Sequence, residues 1–528
     1  MARIGKYVID SLTRSMYEDS RCIFREYIQN AADQIDLAKK EHLDEGDHYE
    51  IHVRIFREQR RIEIEDTATG VSRENRNTLK DVATSQKRRG EHKGFRGIGR
   101  LGGLGYCTTL FFETSAKGEN VKTIMRWDAD KMNQMVDNEE DDHEASFVID
   151  ECTSFEEQTE KSEKHYFKVI MENVTDDQLL DVDNVRNYLS MVSPVDYPTQ
   201  FNRFSAKIKK YVRDNGIRLD VYNIYLGDEK EEEQLFKAYT TSVKYKKGDC
   251  DIKDIRFFEK KDGLGNLIYW GWYSISEMPG QMPACNIAYG MRLRCKNIQI
   301  GNESTCCKFF ASDTEKRFSQ YFYGELFIET PLLMPDARRD YLRECEFRSV
   351  FESYVRTDFQ ELKKLCNEAS KIRNTKDKID EAEREQTKII KRRETGFLNE
   401  KDEKDNEDAY RKFVENKTKF ENELEKIKQK SAQNKSPLMF MYGRSMISSK
   451  EEDTALKEKA SVNLPTSLKT TEFKERGHRL RTDNDIYRKF TNKEKLLINT
   501  IYNAIYNAFA DADMRESLIK KIERELTK

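Results

Sequence analysis

Arg25-Glu26-Tyr27-Ile28-Gln29-Asn30-Ala31-Ala32-Asp33 decides the reading of the first third of this chain. It lies inside a helical pattern running from about Asp19 to Glu41. Glu26, Asn30 and Asp33 are spaced i, i+4, i+7, which sets a carboxylate, an amide and a second carboxylate on one helix face. Ile23, Ile28 and Ala31 supply apolar surface elsewhere on the helix. An amide oxygen beside carboxylates suits a hard cation such as Mg²⁺, with Asn30 as its ligand, and a spare carboxylate can take a proton from water. A solvated helix face carries the same residue types, so the stretch gains meaning from its neighbours.

Two alternating apolar runs follow, Tyr49–Phe56 with Ile51, Val53 and Ile55 on one face and Arg61–Asp66 with Ile62 and Ile64. The second runs straight into Ile64-Glu-Asp66-Thr-Ala-Thr-Gly70. An Asp fixed at a strand end accepts a hydrogen bond from an exocyclic amine, the chemistry that separates adenine from guanine. The plain alternative is an Asp/Gly turn. Next come Thr84-Ser-Gln-Lys87 and Gly94-Phe95-Arg96-Gly97-Ile98-Gly99-Arg-Leu-Gly102-Gly103. Glycines at 94, 97 and 99 let backbone N–H groups approach a phosphate at the start of a helix. Lys87, Arg88, Arg89, Lys93, Arg96 and Arg100 add positive charge there. No GxxxxGK[ST] occurs, which excludes a P-loop. Strand-like Thr108–Ser115 and Val121–Trp127 complete an α+β layer, a sheet covered by helices on one side.

The whole chain has 528 residues, and its 93 Lys+Arg nearly balance 96 Asp+Glu, a net charge of -3. That balance gives no global attraction to nucleic acid. Charged residues make up 36% and mean hydropathy is -0.87, so compact domains joined to a long solvated segment are expected. No apolar run of about 18 residues exists, which excludes a membrane-spanning helix. The ten Cys lack paired CxxC spacing and the first residues lack a signal-peptide core, which points to reduced thiols in a cytoplasmic protein.

Five segments are expected. Residues 1–175 form the first α+β domain and 176–345 a second, with strands near Asn266–Ser276 and Gly324–Glu329. Residues 346–436 form a helical or coiled-coil arm, in which 34 of the 60 residues from 371 to 430 are charged. A polar linker occupies 437–485. Residues 486–528 form a helical hairpin with capping boxes at Thr491/Glu494 and Asp513/Glu516. Its stripe of Ile498, Ile501, Tyr502, Ile505, Tyr506 and Phe509 is too wide for so small a hairpin to bury, so a second copy of the chain is its expected partner.

The order and spacing of the three motifs resemble the GHKL ATPase superfamily. The resemblance implies an ATP-binding α/β sandwich that uses ATP and Mg²⁺. It makes Glu26 the catalytic carboxylate, Asn30 the Mg²⁺ ligand with Asp33 beside it, and Asp66 and Gly70 the adenine-binding turn. Gly94, Phe95, Arg96, Gly97, Ile98 and Gly99 become the phosphate-binding lid, with Lys87 adding charge at the γ-phosphate. One departure is Ala68, where that family has Gly. Further on, Thr175 to Pro198, Gly290-Met-Arg-Leu-Arg with Asn297-Ile-Gln-Ile-Gly301, and Glu329 to Leu342 resemble the junction and middle (transducer) domain of the ninety-kilodalton heat-shock chaperones. In that match Arg339 takes the place of the arginine that reaches the γ-phosphate, with Arg338 as a charged neighbour.

The resemblance covers about residues 1–345. It implies a slow Mg²⁺-dependent ATPase working as a chaperone-like homodimer that remodels a protein partner, and the unusual tail suggests a role in bacterial stress or antiviral (phage) defence. The arm and tail are similar to MORC ATPases, and Thr84-Ser-Gln-Lys and Gly94-Phe-Arg-Gly to MutL proteins. The alternative is therefore a DNA-associated, ATP-gated clamp. The mixed-sign charge of the arm weighs against nucleic acid as its partner. A histidine kinase is not expected, because the ATP domain is read from residue 1 and none of the seven His sits in a helix matching a phospho-acceptor.

Overall fold

Strict alternation builds the first sheet. β1 (Glu50–Phe56) buries Ile51, Val53 and Ile55, and β2 (Arg61–Asp66) buries Ile62, Ile64 and Asp66. They pair antiparallel with Val53 opposite Ile64 and Ile55 opposite Ile62, so one face of both strands is apolar. β3 (Thr109–Ser115), β4 (Val121–Asp128), β5 (Thr153–Thr159) and β6 (Tyr166–Glu172) extend the sheet on one side, and β7 (Asn223–Gly227) and β8 (Glu232–Gln234) on the other. The order is β5-β4-β3-β6-β2-β1-β7-β8. The computed structural model describes residues 3–44, 46, 48–83, 93, 97–245, 248–283, 285–442, 481–483, 485–509 and 511–528. They fall into two units, Met1–Cys366 and Asn367–Lys528.

In the first unit, the short α1 (Tyr7–Leu12) precedes α2 (Cys22–Glu41), which covers the apolar face of the sheet. Ile23, Phe24, Tyr27, Ile28, Ala31, Ala32 and Ile35 of α2 share a core with Ile51, Val53, Ile64, Leu110 and Phe112. Fully burying a side chain such as Ile28 or Ile35 stabilises by about 1.5–3 kcal/mol. α3 (Ala129–Asp137) and α4 (Ala145–Cys152) lie between β4 and β5 in sequence and add Met132, Val136 and Val148 to that core. The α+β expectation is met.

β7 runs parallel to β1, whereas the other pairs in this sheet are antiparallel. A parallel neighbour cannot be reached by a hairpin. The chain leaves β6, forms α5 (Val182–Val192) and α6 (Asn202–Asp214), and only then returns to the sheet. The first sheet thus takes two strands from beyond residue 175.

A second sheet is built from β11 (Asp254–Lys261), β12 (Leu267–Ile275), β13 (Gly290–Cys295), β14 (Ile298–Ile300) and β15 (Tyr323–Ile328), in the order β11-β12-β15-β13-β14. The small hairpin of β9 (Ser242–Tyr245) and β10 (Gly248–Asp251) stands apart. Trp270, Trp272, Tyr323 and Phe327 pack with Phe204 and Ile208 of α6. Within this aromatic core Glu325 accepts from Lys237 Nζ (2.8 Å) and pairs with Arg294, and all three side chains are 0% exposed. α7 (Asp313–Lys316) is a single turn, and α8 (Glu346–Thr395) opens with Phe351 and Phe359 edge-on to Phe309.

In the second unit the rest of α8 is followed by α9 (Glu400–Gln433), antiparallel to it, as pairs Lys417–Glu383 and Arg392–Asp402 record. Gly396 (φ 85°) ends α8, and Asn399 caps α9 by accepting the Asp402 N–H. The arm is therefore a pair of long helices. Of the expected linker, residues 443–480 lie outside the described residues, and Met439–Tyr442 and Asp485–Tyr487 are short 3₁₀ turns.

The tail hairpin forms as α10 (Asn492–Ala508) and α11 (Ala512–Thr527). The Thr491/Glu494 capping box is present. The second expected box is not. Asp511 caps α11 by accepting from the Asp513 and Met514 N–H groups, so the helix starts earlier and Glu516 is left to pair with Arg481 at 2.7 Å.

Candidate functional site

The apolar face of α2 is spent on the core, and this fixes where its polar face points. Glu26, Asn30 and Asp33 line a cavity of about 880 Å³. Glu26 is buried, with Oε1 3.4 Å from the Arg25 guanidinium. A Cβ on Gly99 would come within 2.5 Å of Glu26 Oε2 and 3.1 Å of Glu26 Cβ, so a side chain at 99 would displace the carboxylate from its present position. That turn is held to α2 from below. Tyr27 OH donates to the Arg100 carbonyl and accepts from the Gly103 N–H, each at 3.1 Å.

Asp66 ends β2, is buried, and accepts the Ala68 N–H at 3.1 Å. Ala68 is fully buried and keeps a negative φ. The departure at 68 therefore imposes no backbone strain. The glycine that matters is Gly70 (φ 65°), where a Cβ would stand 1.9 Å from the Ser115 carbonyl oxygen. The Ala68 carbonyl in turn lies 2.6 Å from His165 Nδ1. Asp66 and Gly70 line the same cavity as Glu26, as do Gly97, Ile98 and Gly99. Lys87, Gly94, Phe95 and Arg96 lie outside the described residues.

The far wall comes from the second sheet and the segment after it. Arg339 lines the cavity, is 8% exposed and has φ 58°, whereas Arg338 is exposed and outside the lining. Arg339 donates to the Lys93 carbonyl through Nη2, while its Nη1 is buried without a partner. Burial pushes the Arg339 guanidinium below its ordinary pKa, against the opposing pull of the Glu26 charge. A buried donor left unpaired costs about 1–3 kcal/mol, more when charged. The Arg338 carbonyl accepts from Arg25 at 2.8 Å, which ties this loop to the turn of α2 that carries Glu26.

Lys93 is the hub between the walls. Its N–H donates to Asp33 (2.7 Å), and its ammonium meets Asp36 (2.6 Å) and Asp220 (3.0 Å). Burial works to raise the Asp36 carboxyl, but the bond and charge from Lys93 hold it below the usual carboxylate range. In the sequence Lys93 reads only as loose positive charge, and nothing there marks Gln29, Asp220, Lys296 or Asn297, which line the cavity, as site residues. Lys296 (φ 50°) and Asn297 (φ 61°) are the two central residues of the hairpin between β13 and β14, a left-handed pair typical of a type I′ turn. The signal was legible as Lys-Asn between two apolar runs. Glu329 lines the cavity too, and burial pushes its carboxyl up despite the bond from Trp270 Nε1.

The donor set fits a magnesium nucleotide. The Asn30 amide and the Glu26 and Asp33 carboxylates are hard oxygen ligands of the kind Mg²⁺ takes one or two of, leaving the rest to phosphate and water. The unpartnered Arg339 Nη1 and the glycine turn at 97–99 suit phosphate oxygens. Residues 25–159 match the model of the histidine kinase-, DNA gyrase B-, and HSP90-like ATPase family. The match begins at Arg25, the first residue of the α2 motif, and ends with β5, so the similarity to GHKL-type ATPases covers the helix and strands that carry Glu26, Asn30 and Asp66. The family binds ATP. No curated protein matches the chain. Among the described residues no helix is long and apolar enough to cross a membrane.

Proposed function

We propose that the chain is a slow, Mg²⁺-dependent ATPase. What supports this reading above all is that one cavity collects Glu26, Asn30, Asp66, Gly97–Gly99 and Arg339, although Arg339 lies far outside the span matched to the ATPase family. Asn30 is assigned to Mg²⁺, with Asp33 behind it held by the Lys93 N–H. Bound there, Mg²⁺ neutralises charge on the phosphate oxygens. Glu26 takes a proton from the attacking water. Asp66 accepts the exocyclic amine of adenine, in a turn kept tight by Gly70. Backbone N–H groups of Gly97, Ile98 and Gly99 bind phosphate, and Arg339 Nη1 meets negative charge developing at the γ-phosphate. Lys87, Gly94, Phe95 and Arg96 are assigned to the phosphates by the resemblance alone.

The wider reading is a homodimer that remodels a protein partner in a chaperone-like cycle, with stress or antiviral defence as its setting. Of the expected stripe, Ile498, Tyr502 and Ile505 are buried within the tail itself against Tyr487 and Ile519, and it is the exposed Ile501, Tyr506 and Phe509, with Leu497, that support self-association. Opposite charges that pair within the α8–α9 arm favour a protein partner over nucleic acid. Calorimetric titration of the full chain with ATP and GTP, with and without Mg²⁺, tests the site. Mg²⁺-dependent binding of ATP over GTP is expected, and equal binding of both nucleotides, or of neither, contradicts it.

A further inference from the structure

Gln29 lies on α2 one turn from Glu26 and one turn from Asp33 and lines the cavity with both. It is 4% exposed, yet its Oε1 is buried without a hydrogen-bond partner. Among the described residues Gln299 Oε1 is also buried without a partner, but Gln299 does not line this cavity, and two other buried amides are paired at both ends. Asn297 accepts from Lys237 and donates to the Asp220 carbonyl, and Asn406 accepts from Arg393 and donates to the Ile389 carbonyl. A buried polar group with no partner calls for a reason, and a ligand that enters the cavity is one.

Helix geometry says what that ligand is. At 3.6 residues per turn Gln29 falls on the side of Glu26 that carries Arg25 and Asp36. Arg25 reaches the far wall at the Arg338 carbonyl, and Lys93 links Asp33 and Asp36 of α2 to Arg339 through its own carbonyl. Gln29 is therefore on the side of Glu26 nearest Arg339, whose Nη1 is the unpartnered donor of the same cavity. An unpaired acceptor and an unpaired donor flank one carboxylate. Phosphate oxygens satisfy the guanidinium but offer nothing to an amide oxygen, which needs an O–H or N–H.

We propose that Gln29 is a further catalytic residue of the ATPase, its Oε1 accepting a hydrogen bond from the attacking water beside Glu26. The water oxygen bonds to the γ-phosphorus as the bond from that phosphorus to the β–γ bridging oxygen breaks, and ADP leaves with the electron pair. One water proton goes to Glu26. The other stays on the new phosphate and is the one Gln29 holds, so Gln29 fixes the direction of attack without changing its own protonation. The inference rests on the ATPase reading above.

Gln29→Met in the full chain tests it, because methionine keeps the volume and removes the hydrogen-bonding group. Expected is a fall in kcat of about 10–100-fold with nucleotide Kd unchanged. The melting temperature should meanwhile rise by about 2 °C, as an apolar group replaces a buried unpaired one. A residue that only packs would move the melting temperature and leave kcat alone. Gln29→Glu keeps an acceptor and should retain more turnover than the methionine variant. If Gln29→Met shows no cooperative unfolding, Gln29→Ala takes its place in the same comparison. Full turnover in the folded variant overturns this inference alone. Wild-type protein with no Glu26-dependent turnover overturns the ATPase reading and this inference with it.

Discussion

Arg339 donates a hydrogen bond from Nη2 to the backbone carbonyl of Lys93, 246 residues earlier in the chain, and keeps Nη1 free of any partner inside the cavity. The neighbouring Arg338 is exposed and offers only its carbonyl, to Arg25. Two adjacent cations thus have different surroundings, and the difference is testable. Arg339→Ala should lower kcat by about 10²–10³-fold, the usual worth of a donor aimed at developing negative charge. Arg338→Ala should leave kcat close to wild type. Steady-state phosphate release measures both, and equal losses would contradict the assignment.

Asp66 sits where a buried carboxylate can take an adenine amine, and its own turn spends one oxygen on the Ala68 N–H. Asp66→Asn should weaken ATP binding by about 1.5–3 kcal/mol, roughly 10–150-fold in Kd. Titration with a non-hydrolysable ATP analogue reads this directly, and an unchanged Kd would remove Asp66 from the adenine role.

Much of this was legible in the sequence because it is local. The i, i+4, i+7 spacing on α2, the alternation in β1 and β2 and the Thr491/Glu494 cap are each decided within a dozen residues. What escaped depends on distant partners. Lys93 looks like any basic residue until Asp36 and Asp220 close on it, and β7 looks like part of the second domain until it pairs with β1. The Asp513 cap failed for a local reason, since Asp511 stands two residues earlier and serves equally well. Gln29 could not be singled out, because its character lies in a partner it lacks.

The Lys237–Glu325–Arg294 group predicts acid sensitivity. Burial works to raise the Glu325 carboxyl, but the Arg294 and Lys237 charges hold it at about 2. A carboxyl depressed on folding adds stability above its unfolded value, about 4.3, and loses it as pH falls towards the folded value. Denaturant midpoints should therefore drop between about pH 4 and pH 2. Burial and Arg294 already lower Lys237 to about 7, so in Glu325→Ala it sheds its proton, while Arg294 stays buried without its counter-charge and the change should cost about 3–5 kcal/mol at neutral pH. A variant as stable as wild type would show that the group is not ionised as described.

The proposed homodimer would associate through the tail hairpin, whose exposed Leu497 and Ile501 are one turn apart on α10. The double change Leu497→Glu with Ile501→Glu should convert dimer to monomer in sedimentation velocity, since two charges cannot be desolvated in such an interface. A dimer that survives it would place the contact elsewhere.

The most direct test of the central claim is single-turnover ATP hydrolysis by wild type and Glu26→Ala with Mg²⁺ present. The account predicts that both bind ATP and that turnover in the variant falls by about 10²–10⁴-fold. Undiminished hydrolysis in Glu26→Ala, or none in wild type under saturating ATP, would contradict it.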